Sequence, residues 1–95
     1  MELRAATEAH AAFLLDERAY SPRTIAAYGS DLADLVAFAA TQSATTTEEL
    51  DLELLRDWLW AATQRGLARA TLARRAAAAR SFTDWLRRAL SLIHI

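Results

Sequence analysis

Apolar and polar residues alternate along this chain with a period of three to four, the repeat of one buried face of an α-helix. Over residues 2–18 the recurring positions are Leu3, Ala6, His10, Phe13 and Leu14, which predicts a first helix with that stripe turned inward. Tyr20-Ser21-Pro22-Arg23-Thr24 then reads as a helix start. Ser21 can accept an amide hydrogen bond as N-cap, and Pro22 suits the first helical position, where its missing N–H goes unused. The second helix should run from Pro22 to about Ala40. Projected at about 100° per residue, Leu35, Tyr28, Leu32, Ile25 and Val36 share one narrow arc, so Tyr28 belongs to the core face. Gly29 interrupts this helix at a cost of about 1 kcal/mol relative to alanine and reads as a tolerated substitution rather than a close approach.

Residues 41–47, Thr-Gln-Ser-Ala-Thr-Thr-Thr, are polar and without period, which predicts a connecting loop and the most mobile part of the chain. Thr47 or Asp51 can cap a third helix with Leu52, Leu55, Leu59 and Ala62 as its buried stripe, Trp58 and Trp60 flanking it, and Gly66 ending it. A fourth helix is predicted from Arg69 to Leu90, its apolar arc formed by Leu72, Ala76, Ala79, Thr83, Leu86 and Leu90. Arg69, Arg74, Arg80, Arg87 and Arg88 project away from that arc and form a face of their own. With two Gly and one Pro in the chain, the turn punctuation that sheets require is missing. The expected class is all-α, with four helices, or five at most, joined by short connections.

Composition sharpens this picture in three places. The length of 95 residues suits one domain, and 23 of them are alanine, so the bulky part of the core must come from Leu, Ile, Phe, Trp and Tyr. There is no cysteine, no apolar run near the length of a membrane span, and no apolar stretch after Met1-Glu2-Leu3-Arg4 to act as a secretory signal. A soluble cytoplasmic protein, with no membrane partner, is the expectation. All 11 basic residues are Arg, which reads as GC-rich coding and carries no functional weight.

The net charge of −1 conceals a division along the chain. Residues 1–64 hold four Arg against 11 Asp and Glu, whereas residues 65–95 hold seven Arg against Asp84 alone. Such asymmetry suits a basic binding element on an acidic domain, and suits equally well the solvated face of a single helix.

Two stretches carry a resemblance. Glu17-Arg18-Ala19-Tyr20-Ser21-Pro22-Arg23-Thr24-Ile25-Ala26-Ala27-Tyr28, followed by Asp31-Leu32, resembles the ER-x-x-SP-x-T-x-x-x-Y-x-x-DL segment of Xer-type tyrosine recombinases. Gly66-Leu67-Ala68-Arg69-Ala70-Thr71-Leu72-Ala73-Arg74-Arg75, continuing through Arg80-Ser81-Phe82 to Trp85-Leu86, is similar to the family's G-L-S-x-x-T segment and the arginine-rich helix after it. Together they cover roughly residues 10–89. The resemblance implies a SAM-like orthogonal bundle over residues 1–90, the N-terminal core-binding domain of a site-specific recombinase. It also implies that helices two and four approach the major groove of double-stranded DNA, and that four recombinase subunits assemble on two duplexes. Ala68 departs from the family's serine and removes a capping hydroxyl. Residues 91–95, Ser-Leu-Ile-His-Ile, match nothing in the family, where a hinge and a catalytic domain would follow, so they read as a non-matching tail or a truncation.

Under this resemblance the candidate DNA-binding residues fall at two helix beginnings expected to adjoin. Ser21, Arg23 and Thr24 open helix two, where unpaired amides favour a phosphate oxygen, and Ala27 is small enough to let the helix enter a groove. Arg69, Thr71, Arg74 and Arg75 open helix four, with Arg80 further along, and Arg74 is the best placed to reach bases. Replacing Arg74 and Arg75 with alanine is expected to weaken DNA binding and spare the fold. Ser21 reads first as a plain N-cap, a role that can coexist with a phosphate contact, and Arg80 can equally pair with Asp31 or Asp84.

Catalytic, metal and cofactor roles find no support. The two histidines, His10 and His94, lie at opposite ends, and neither Tyr20 nor Tyr28 has the Arg and His cluster that a nucleophilic tyrosine needs. His10 reads as a core-edge residue. A rival reading makes the chain a helical protein-interaction module, with Trp58, Trp60 and Trp85 as an exposed anchor patch. Burial of those side chains would count against it.

Overall fold

The computed structural model describes residues 1–92; the remainder of the predicted tail, Ile93, His94 and Ile95, lies outside the described residues. Four helices account for most of them: α1 (Leu3–Asp16), α2 (Pro22–Thr41), α3 (Leu52–Gln64) and α4 (Arg69–Leu90). The all-α class and the four-helix order agree with the periodicity. Among the described residues no helix is long and apolar enough to cross a membrane.

Local chemistry sets the ends of these helices. Ser21 is the N-cap of α2: its Oγ accepts from the Thr24 amide at 3.2 Å and donates to Thr24 Oγ1 at 3.0 Å. Asp51 caps α3, with Oδ1 accepting from the Leu54 amide at 2.8 Å. Gly66 stands after α3 at φ +77°, the left-handed region that a side chain resists. Ala68 occupies the N-cap of α4 in extended geometry and offers no side-chain hydrogen bond.

The polar connection after α2 is better ordered than its composition suggested. Thr46 and Glu49 form a capping box around a 3-10 turn at Thr47–Glu49, and Glu49 Oε1 accepts from the amides of Thr45 and Thr46, each at 3.1 Å. Glu2 and Thr46 pair as an isolated antiparallel bridge. The Leu3 amide donates to the Thr45 carbonyl, and the Thr47 amide to the Met1 carbonyl, both at 2.8 Å. Thr47 and Ala44 are buried. This segment therefore tethers the start of α1 instead of hanging loose, because the Glu49 carboxylate and the backbone of Met1 and Leu3 satisfy groups that a bare loop would leave to water.

The core is drawn from all four helices: Leu3, Ala6 and Leu14 of α1, Leu32 and Leu35 of α2, Leu54, Leu55 and Trp58 of α3, Phe82 and Leu86 of α4, with Leu50 closing one end. Two faces are rotated from their expected positions. In α3 Leu52 is exposed, while Trp58, expected beside the stripe, lies at its centre with 1% exposure. In α4 the buried positions are Arg75, Ala78, Ala79, Phe82 and Leu86, an arc turned by about 60° toward Arg75. The reason is alanine: Ala76 to Ala79 circle the whole helix and bury so little area each that Phe82 decides which way it faces.

Candidate nucleic-acid interface

Two carboxylates of α2 and two arginines of α4 meet between those helices. Arg74 Nε donates to Asp31 Oδ2 at 2.7 Å and its Nη2 to Asp31 Oδ1 at 2.9 Å, a fork closed on a carboxylate that is 1% exposed. Arg75 points inward. Its Nη1 donates to Asp34 Oδ2 at 2.8 Å, and its guanidinium carbon lies 5.3 Å from the centre of the Trp58 ring. Trp58 Nε1 donates to the same Asp34 oxygen at 2.9 Å, and Arg65 Nη1 stands 3.9 Å from Asp34 Oδ1. Desolvation alone would raise the Asp34 carboxyl, but the Trp58 and Arg75 hydrogen bonds and the charges of Arg75 and Arg65 outweigh it and hold it below the usual carboxylate range. The hydrogen bonds and charge of Asp31 push Arg74 above the ordinary arginine value, so its cation is secure.

This geometry corrects part of the expected surface. Arg75, with its side chain 11% exposed, is not on the outward face, because its position falls inside the buried arc of α4. Arg74 keeps 43% exposure, but its guanidinium already holds a carboxylate. Replacing both by alanine would leave Asp31 buried without a cation, a loss of about 3–5 kcal/mol, so that double change does not separate binding from folding. The two helix beginnings do not adjoin either. Arg74 and Arg75, near the start of α4, meet the middle of α2, whereas Tyr20, just ahead of α2, lines a cavity with Trp85 and Arg88 near the end of α4.

The other candidates remain at the surface. Ser21 and Arg23 are exposed and Thr24 and Ala27 half-buried on α2; Arg69 and Arg80 are exposed and Thr71 half-buried on α4. Ser21 serves as the N-cap. Arg80 pairs with neither expected carboxylate: Asp31 takes Arg74 and Asp84 takes Arg87. Arg23, Arg69, Arg80 and Arg88 have no ion pair among the described residues. Three of them, Arg69, Arg80 and Arg88, stand with Arg87 along the outer side of α4, opposite Phe82 and Leu86.

Sequence reasoning missed Asp34 and the inward turn of Arg75. A signal existed, since Arg75 projects at the rim of the expected apolar arc and Asp31 and Asp34 lie one turn apart beside Leu35. The tryptophans do not form one anchor patch: Trp58 is core, Trp85 is half-buried against Phe82 and His10, and Trp60 alone stands out at 63% exposure.

Comparison with known proteins places this geometry in a family. The model described as "Phage integrase, N-terminal SAM-like domain" matches residues 8–89. Tyrosine recombinase XerC of Xanthomonas campestris pv. campestris (strain B100) is 40% identical over 81 residues, covering 85% of this chain and 25% of that protein. Tyrosine recombinase XerC of Mycobacterium bovis (strain BCG / Pasteur 1173P2) is 45% identical over 65 residues, covering 68% of this chain and 22% of that protein. The chain thus spans about a quarter of the length of these curated relatives. No solved structure gives a significant match. The extent of the family match leaves one conclusion: this chain belongs to the family of phage integrase N-terminal SAM-like domains.

Proposed function

We propose that this chain is the DNA-binding part of a tyrosine recombinase, seated on one half-site of a duplex while a catalytic domain outside this sequence carries out strand cleavage. The observation that carries the reading is the outer face of α4, where Arg69, Arg80 and Arg88 stand exposed with no carboxylate partner among the described residues. Unpaired guanidinium groups along one helix suit a duplex, because each can displace counterions from a phosphate without first breaking a bond inside the protein. Arg23, exposed in the first turn of α2, adds a cation beside a helix N-terminus. The similarity to XerC recombinases supports the same partner. In this reading the chain is a monomer alone, joins sister recombinase subunits on DNA, acts in the cytoplasm, and needs no cofactor.

The test is the double substitution Arg69→Ala and Arg80→Ala, read by fluorescence anisotropy on a duplex of about 30 bp at several salt concentrations. Both side chains are exposed and unpaired, so helicity should be unchanged. The slope of log Kd against log salt should shrink by about two, at about 0.9 for each phosphate that is no longer neutralised. An unchanged slope and Kd would remove the outer face of α4 from the interface.

A further inference from the structure

Asp31 has two arginines within ion-pair distance and is hydrogen-bonded to only one of them. Arg74 closes both of its hydrogen bonds on this carboxylate, yet its side chain stays partly open to solvent. Arg75 Nε, by contrast, is buried and has no hydrogen-bond partner, and it lies 3.6 Å from Asp31 Oδ1, just beyond bonding range. A buried donor without an acceptor is costly, and the carboxylate oxygen 3.6 Å away, Asp31 Oδ1, belongs to a group whose orientation the two Arg74 hydrogen bonds fix. Removal of Arg74 would free that carboxylate to turn. A small turn of the carboxylate would bring Oδ1 from 3.6 Å to about 2.9 Å from Arg75 Nε. Asp31 would then stay compensated, and Arg75 would lose its orphaned donor.

We propose that Arg74 is an exchangeable phosphate ligand: it rests on Asp31 in the unbound protein, moves to a phosphodiester oxygen of the duplex, and leaves Asp31 to Arg75. The inference rests on the reading of this chain as a duplex-binding domain. It assigns different work to two adjacent arginines: Arg74 binds the phosphate, and Arg75 is a positioning residue that receives the abandoned carboxylate. Asp34 and the Trp58 ring keep Arg75 in place throughout, since they hold its Nη1 and its flat face and leave Nε 3.6 Å from Asp31 Oδ1.

The exchange has a direct readout in the Nε–Hε NMR signals of the wild-type chain, titrated with a mixed-sequence duplex of about 30 bp at low salt. The Arg74 signal should shift on binding, and the Arg75 signal should move downfield as it gains an acceptor. In parallel, Arg74→Ala should reduce the salt slope by about one. Asp31→Asn, which removes the competing charge, should tighten duplex binding roughly 3- to 10-fold, about 0.7–1.4 kcal/mol. If the wild-type chain binds the duplex while the Arg74 signal stays fixed and Arg74→Ala leaves the slope intact, the exchange is wrong and the DNA-binding reading survives. If the wild-type chain does not bind the duplex even at low salt, both fall together. The NMR titration needs no substitution, so it decides the question even where a variant misfolds.

Discussion

At the scale of single residues, His10 shows how burial converts a titration into stability. Its ring is in the core, edge-on to Phe82 at 5.4 Å between centroids, with Nε2 3.0 Å from Ser81 Oγ. Desolvation by burial lowers its pKa from 6.5 to about 4. The unfolded chain therefore binds a proton that the folded one refuses, and the imbalance acts between those two values. Stability from the neutral ring is complete above about pH 6.5, declines as the pH falls toward 4, and declines no further from this source below that. The total loss is on the order of 3 kcal/mol. Asp34, Glu48 and Glu49, all held below their ordinary values, lose their contributions only as the pH drops through the carboxylate range, so the upper part of the window isolates the histidine. Urea midpoints should fall between pH 7 and pH 5, and His10→Gln should flatten that slope; an equally steep slope in the variant would assign it to other groups.

At the scale of elements, helix limits are legible in the sequence and helix rotation is not. Ser21-Pro22, Asp51 and Gly66 are strong signals because each meets a backbone demand at one position: the observed α2 starts at the first, α3 starts after the second and ends just ahead of the third. Rotation depends on which side chains bury most area, and an alanine-rich helix spreads that information too evenly to read. For this reason Arg75, nominated for the DNA-facing surface by its place in the first turns of α4 and not by the helical projection, turns out buried, while the projection puts Arg69 and Arg80 outside, where they stand. The partner of Arg74 is also beyond its reach, since that depends on how α2 and α4 cross. The missing cap on α4 offers a test at this scale. Ala68 already has the extended backbone of an N-cap, so Ala68→Ser adds an acceptor without requiring a new conformation. A gain of about 1 kcal/mol is expected, seen as a rise of roughly 4–8 °C in Tm; no gain would mean that water serves those amides equally well.

At the scale of the whole molecule, the opposite charges of the two ends of the chain are partly spent on each other. Asp31 and Asp34 come from the acidic part and Arg65, Arg74 and Arg75 from the basic part, and their pairing joins α2 to α4 and to the end of α3. In the proposed reading, Arg69, Arg80 and Arg88 on the outer side of α4 and Arg23 on α2 are exposed cations that this network does not use. Buried pairs are screened by salt far less than exposed cations. A tenfold rise in salt should therefore cost about three orders of magnitude in duplex affinity for three to four neutralised phosphates, while the thermal midpoint measured by circular dichroism moves little. Parallel loss of both would mean that the charge network, not the exposed row, is the salt-sensitive part. The guanidinium of Arg75 also gives meaning to one instance of a bias that composition left without any. It lies against an indole from α3, grips a carboxylate from α2 and belongs to α4, so three helices converge on one planar ion. An ammonium group, being a point charge, has neither a flat surface to rest on a ring nor a rigid fork to span such a junction. Here the preference for arginine over lysine is architecture, not coding habit.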